Sequence, residues 1–440
     1  MCAVCALICC VLVASLSLHF VQGQAFAQTS DEEGLRLRRQ RMPEKNIAQQ
    51  IIAVPTVILK FPFFVTGKGI KYTATFIDNT ALIPRTKALL TSDDGLVALY
   101  PTVGLGGRSG FAGELKFFNK RFLKKGNRLS LQASYSTNRH QDHYIRYQIP
   151  EMIGPLFLDM RGGYQVKTNE DFFGIGNETE RGDNDRNRTN FRHEELGGEL
   201  TVGAAWAKWL RTQLLIDYTD HIIEDGDGTY DSTLDVFDLQ TTPGLDGAAL
   251  LGLGGSIAFD TRDNGFYPSR GGLAEFSVTL FNQVDEDNYG FTRYTMELSR
   301  YLTLFRPGRI FAIRLLGEVN TRLSDDKETP FFERANLGGA TSLRGYSTGR
   351  FRDKDLILLN VEYRYPIWDA YRDLRGAADA VVFVDIGRVF DDLKKDTFKD
   401  YKASYGGGIR ARTTEDFVFR AEISRSSEEI NLILKFEPVF

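Results

Sequence analysis

Cysteine is confined to the first ten residues, where Cys2, Cys5, Cys9 and Cys10 are the chain's only four. If that segment is a leader, the mature protein can form neither a disulfide nor a thiolate metal site. An excess of either charge is missing too: 54 Lys and Arg face 58 Asp and Glu, for a formal net charge of −4. No broad basic surface follows, and no nucleic-acid partner is expected. Beyond residue 27 the chain has no apolar run of about 18 residues, so nothing reads as a membrane-spanning helix. There are only 13 prolines among 440 residues. What is present in quantity is glycine, at 42, with 32 Phe and 18 Tyr in a chain that is 42% hydrophobic and 25% charged. That balance is too apolar and aromatic for disorder. Length alone would suggest two or three soluble domains, yet a single closed sheet can use this many residues.

Residues 1–27 carry no charged side chain, and Val4 to Phe20 is almost wholly apolar. Ala25-Phe26-Ala27 then offers an A-x-A cleavage site, so a secretory signal cleaved near Ala27 is expected. The first residues lack the usual Lys or Arg, which an upstream start codon would explain. A lipoprotein signal using Cys9 or Cys10 would leave too short a hydrophobic region. An exported chain without a helix anchor is either a soluble periplasmic protein or an outer-membrane barrel, and the strand pattern must choose.

Residues 28–95 are expected to be a short periplasmic or irregular segment. Its basic cluster, Arg36, Arg38, Arg39, Arg41 and Lys45, reads as a solvated arm in preference to a lipid anchor. From residue 96 to 440 the chain becomes a succession of segments, each about ten residues long, that alternate apolar with polar or small residues. In the last of them Ile430, Leu432, Leu434 and Phe436 share one face, while Asn431, Lys435 and Glu437 fall mostly on the other. Strands are expected at 97–106, 110–119, 127–137, 142–149, 156–166, 190–204, 209–221, 249–260, 271–282, 289–302, 308–321, 355–365, 377–388, 402–412, 416–425 and 429–437. That even count of sixteen suits a bacterial barrel with both termini on the periplasmic side. The long gaps 167–189, 222–248 and 322–354 then all fall on the outer side, and short ones such as 205–208, 303–307 and 413–415 on the inner side. A soluble sandwich has no reason to sort its loops this way; the one short outer gap is 107–109. The fold expected is all-β: a transmembrane antiparallel β-barrel of sixteen strands.

Within the gap 322–354 the stretch Phe331 to Asp353 is glycine-rich and holds Arg344 between Leu343 and the pair Gly345-Tyr346. A loop of this length needs something to dock it if it is to be ordered. The LRGY run at 343–346 resembles the sixth-loop motif of the bacterial surface antigen superfamily, the outer-membrane assembly barrels of the BamA/TamA type. Three further stretches agree with that resemblance. Phe259 to Gly272 is similar to the family's Asp, Arg-Asp and Tyr-Pro turn, VEYRYPI at 361–367 to its twelfth strand, and Phe383, Asp385 and Gly387 to its thirteenth-strand motif. The resemblance covers roughly residues 95–440. It implies that the sixth outer loop folds back into the lumen and that Arg344 meets Asp385 and Glu362 on the barrel wall. A guanidinium buried in a lumen is costly unless carboxylates give it charge-assisted hydrogen bonds. Asp385 is the favoured main partner, because Phe383, Val384 and Ile386 around it leave its charge in need of one. Gly345 would let the backbone approach the wall and Tyr346 would pack there. The alternative is an Arg344 solvated on a surface loop.

Other candidates are weaker. Asp225 to Asp231 could gather calcium, but the run lacks the Gly at position six and the Glu at position twelve of an EF-hand loop, so a solvated acidic loop is expected. The FFGIGN run at 172–177 resembles a segment of family members with short amino termini and reads as loop architecture. His140, His143, His193 and His221 look scattered, and none sits beside a Ser in a nucleophile elbow. The His140-x-x-His143 spacing points its two side chains to opposite faces of a strand. No catalytic site, cofactor or metal is therefore expected, and the chain does not read as an enzyme.

The 28–95 segment leaves no room for an array of the family's substrate-handling POTRA repeats. The expected function is assistance to insertion or translocation of protein or lipid at the outer membrane, by a monomeric barrel in contact with outer-membrane lipids and with a client outer-membrane or secreted protein. Pro438, close to the terminal Phe440, cannot donate a ladder hydrogen bond and so would weaken the seam where the first and last strands meet. The alternative is a passive pore or structural surface antigen without insertase activity.

Overall fold

The computed structural model describes residues 91–92, 94–106, 110–177, 188–304, 307–369, 376–392, 399–413 and 418–435. The expected leader, nearly all of the 28–95 segment, and the seam residues Pro438 and Phe440 lie outside the described residues. The described chain is built from β1 (Val97–Gly106), β2 (Gly110–Asn119), β3 (Arg128–Ser136), β4 (Gln141–Ile153), β5 (Leu156–Phe172), β6 (Thr189–Ala207), β7 (Leu210–Asp225), β8 (Ala248–Asp260), β9 (Gly271–Gln283), β10 (Gly290–Thr303) and β11 (Ile310–Arg322). A small loop pair follows, β12 (Ala335–Leu337) with β13 (Phe351–Asp353). The last five strands are β14 (Asp355–Asp369), β15 (Gly376–Phe390), β16 (Lys402–Thr413), β17 (Val418–Arg425) and β18 (Ile430–Lys435). Apart from the loop pair, sixteen strands form one sheet in chain order, each antiparallel to the next. Sixteen is the number that the alternation predicts.

The two faces of the sheet explain why these residues make strands. On β7, Leu214, Ile216 and Tyr218 are exposed, and on β18 so are Ile430 and Leu432. On β15, Val382 and Val384 point out while Phe383 and Asp385, which alternate with them, are buried. Large apolar side chains held outward on strand after strand are what a lipid-facing barrel wall requires, and a soluble sheet would hide them. Trp206, near the end of β6, and Trp209, in the short turn before β7, are both exposed, and Trp209 stacks on Phe259 with ring centroids 6.1 Å apart. Aromatic side chains at strand ends mark the membrane interface.

The structure extends several strands beyond their expected ends. β5 continues from 166 to Phe172, β7 from 221 to Asp225, and β4 from 149 to Ile153. In β5 a bulge between Lys167 and Glu170 breaks the period of two, and pairing resumes in Glu170↔Phe191 and Asp171↔Asn190. The outer gap expected at 167–189 is shorter because the strand continues beyond the bulge.

Candidate functional site

The inner wall and the segment between β11 and β14 form one buried ionic assembly. In β14, β15, β16 and β17 the period of two turns Asn360, Glu362 and Arg364, then Phe383 and Asp385, then Ser404 and Arg410, then Arg420, Glu422 and Ser424 toward the interior, and all are buried. Arg344, midway between β12 and β13, is fully buried against them. Its Nε and one Nη donate to the two Asp385 oxygens at 2.8 and 2.6 Å, and its other Nη donates to Glu362 at 2.7 Å. The Arg344 amide also donates to Asp385 at 3.2 Å, and the guanidinium lies 3.4 Å from the centre of the Phe383 ring. This is a bidentate, charge-assisted grip with a cation over an aromatic face. The Arg344 carbonyl accepts from Ser424 Oγ at 2.6 Å and Asn431 Nδ2 at 3.3 Å, so main chain and side chain are both tied to the wall.

The carboxylates serve more than one guanidinium. Glu362 accepts from Arg410 at 2.7 and 2.9 Å and from Arg364 at 3.1 Å, while Glu422 accepts from Arg410 at 2.7 Å and from Arg420 at 2.7 and 3.2 Å. Asp385 also accepts from Asn360 at 2.8 Å and Ser404 at 3.3 Å. Arg364 reaches on to the Pro268 carbonyl at 3.2 Å and lies 4.5 Å from the Tyr267 ring, so the turn between β8 and β9 joins the assembly. Burial pushes the Tyr267 phenol up to about 12, so it remains a donor and bonds Asp379 at 3.0 Å.

Residues flanking Arg344 fit by shape. Leu343 is buried with Leu337, Tyr346, Phe351, Leu356, Leu358 and Val389. Tyr346 sets its ring edge to face with Phe351, centroids 5.1 Å apart, and its hydroxyl is 3.2 Å from Ser427 Oγ. A Cβ on Gly345 would stand 2.7 Å from both the Arg425 carbonyl carbon and Ser404 Cβ, and one on Gly387 would stand 2.9 Å from Leu337. At Gly345 the loop lies too close to the β17 backbone for a side chain, and at Gly387 the space is taken by the Leu337 side chain. We expect Gly345→Ala to lower barrel stability by about 1–3 kcal/mol, the range for overpacking a close-fitted core, read as an earlier midpoint in urea unfolding.

Thus the structure brings Leu343, Arg344, Gly345 and Tyr346 together with Glu362, Phe383, Asp385 and Gly387. Sequence reasoning missed Arg364, Arg410, Arg420 and Glu422. Their only signal is a charged residue at alternate positions in 361–367, 407–413 and 418–425, a pattern any water-facing barrel wall also shows. The FFGIGN run does more than connect strands: Phe172 and Phe331 pack edge to face at 5.2 Å, and the Gly176 amide donates to the Arg352 carbonyl at 2.7 Å. Of the acidic run 225–231, Asp225 accepts from Ser232 and Asp227 pairs with Arg139 at 3.2 Å. One expectation is corrected: His193 and His221 are not scattered but stand with ring nitrogens 3.0 Å apart, because the β6/β7 register sets Glu195 opposite His221 and His193 two residues from it on the same face.

A sixteen-strand sheet with an apolar outside, an ionic inside and its sixth outer loop folded into the lumen defines the class: an outer-membrane β-barrel with a docked internal loop. Residues 121–415 match the Omp85 superfamily domain, and the chain belongs to that superfamily. No curated protein matches the chain. Among solved structures, the fold is similar to that of BamA from Haemophilus ducreyi lacking POTRA domains 1-3, with a TM-score of 0.56 and 17% identity over 77% of this chain and 69% of that one. It is also similar to CdiB from Escherichia coli, with a TM-score of 0.51 and 12% identity over 77% of this chain and 60% of that one. At these identities the likeness is one of fold.

Proposed function

We propose that this barrel inserts or translocates polypeptide at the outer membrane by parting its first and last strands. The observation that carries the proposal is the seam. Every neighbouring pair in the sheet order is joined by a ladder, whereas β1 and β18 come close to each other without one among the described residues. Two strand edges left unpaired are templates for an incoming strand, and a client whose strands alternate apolar with polar side chains would match them. Membership of a superfamily of outer-membrane insertion and translocation barrels agrees with this.

The docked loop acts on the same seam. Ser347 donates to Glu429 at 2.9 Å, Arg350 to Glu428 at 2.7 Å, and Asn431 of β18 to the Arg344 carbonyl, so loop six braces the β17–β18 hairpin from inside. In this account the arginine clasp fixes the last hairpin while its outer edge stays available. A loop packed into the lumen also weighs against a passive pore.

Cysteine pairs placed across β1 and β18 test the proposal, since the chain's own four cysteines all lie in its first ten residues. In liposomes carrying the oxidised variant, folding of an unfolded β-barrel client should slow to the rate in empty liposomes, and reduction should restore it. Equal client folding with the seam locked and unlocked contradicts strand parting.

A further inference from the structure

Away from Arg344, the described residues contain one group of three side chains whose ligand atoms all lie within 4.8 Å of one another: His193, Glu195 and His221. Both histidines are buried. His193 Nε2 faces His221 Nδ1 at 3.0 Å, and Glu195 Oε1 lies 3.5 Å from the same His193 nitrogen. The outward nitrogens each have a carboxylate. His193 Nδ1 is 3.2 Å from Glu170, and His221 Nε2 is 3.4 Å from Glu333.

Glu170 fixes one proton, because it takes the Nδ1–H of His193. That leaves the His193 Nε2 lone pair facing His221 Nδ1 and Glu195, and the His221 tautomer that turns its Nε2–H toward Glu333 brings a second lone pair to the same point. A cation there takes both lone pairs; without one, the His221 Nδ1–H bonds His193 Nε2. Two imidazoles with one carboxylate are a donor set that zinc takes, and carboxylates behind the rings are the usual outer support of such sites. Phe332 packs against both rings, at 4.5 Å from His221 and 5.6 Å from His193, and so holds their orientation. Arg293 donates to the Glu333 carboxylate at 2.8 Å from its other side. Lys167, at 3.9 Å from both Glu170 and Glu195, is a competing cation beyond hydrogen-bond distance.

We propose that His193 Nε2, His221 Nδ1 and Glu195 bind one divalent transition-metal ion of the zinc type, with Glu170 and Glu333 orienting the two rings. Phe332 and Glu333 belong to the fold-back loop, whereas the three ligands belong to β6 and β7. The ion therefore gives loop six a second clasp, on a different stretch of wall from the arginine clasp, and one that metal supply can open or close.

The full chain, purified in detergent and stripped with chelator, is titrated with Co²⁺ and then with Zn²⁺. One equivalent of Co²⁺ should give visible absorption that Zn²⁺ abolishes, and Zn²⁺ should raise the thermal midpoint. His221→Gln should lose both effects. Glu195→Gln, which keeps both rings, covers the case in which the histidine variant does not fold, and it should also bind poorly. Glu170→Gln should weaken binding by about 10–100-fold, as loss of an outer-shell partner does. Absence of the cobalt spectrum from the wild-type barrel, as expected if the two rings merely share a proton, overturns the site. So does a spectrum unchanged in a folded His221→Gln or Glu195→Gln barrel.

Discussion

Arg344→Ala should cost the barrel about 3–5 kcal/mol, the range for removing one member of a buried ion pair. Arg344 is fully buried and makes three side-chain bonds to carboxylates, so its loss strands the charge it neutralised. The damage falls mainly on Asp385, which keeps only uncharged donors: Asn360, Ser404 and the main-chain amide at position 344. Glu362 still has Arg364 and Arg410. Two consequences follow. The loop should become sensitive to protease added from outside, and the denaturation midpoint should fall. Asp385→Asn made on top of Arg344→Ala should restore part of the lost stability, because the stranded charge is gone, so the pair should be strongly non-additive. Arg344→Lys keeps a charge but not the fork that spans both Asp385 oxygens, and should recover only part of the loss.

Glu362→Gln is the second large effect, again about 3–5 kcal/mol on the same physical ground, but with a different signature. Glu362 is the one carboxylate shared by Arg344, Arg364 and Arg410. Buried carboxylates Glu362, Asp379, Asp385 and Glu422 match buried guanidiniums Arg344, Arg364, Arg410 and Arg420 one for one. Removing Glu362 leaves an uncompensated positive charge between β14 and β16. The barrel should therefore unfold at lower denaturant while Asp385 still holds the loop. Protease resistance of loop six should be reduced less than in Arg344→Ala, and a folded Glu362→Gln barrel as protease-sensitive as Arg344→Ala would contradict this division of roles.

The legibility of this molecule in its sequence follows the contrast between lipid and lumen. Where a strand crosses the apolar band, as Val382, Phe383, Val384 and Asp385 do, the alternation of exposed and buried residues is written in the side chains, and so the strand count was available. In the far part of β5 a bulge between Lys167 and Glu170 breaks the period of two, so the continuation of that strand to Phe172 is not written in the side chains. The clasp was legible at Arg344, Glu362 and Asp385 through the resemblance of the LRGY run and of the two strand motifs to a known family, while the apolar neighbours of Asp385 marked it as the main partner. Arg410 and Glu422 were not, since charge at alternate positions is what any lumen wall displays. His193 and His221 lie far apart in the chain and meet only through the β6/β7 register, which no local pattern reveals.

The sixth outer loop is packed within the barrel, and a single cysteine can report that packing directly. Leu343 is buried beside Arg344, while Asp326, earlier in the same connection, is exposed. In barrels reacted with a membrane-impermeant maleimide, Leu343→Cys should stay unlabelled while Asp326→Cys is labelled, and adding Arg344→Ala should expose the first. Labelling of Leu343→Cys as fast as Asp326→Cys in the otherwise native barrel would contradict the docked loop.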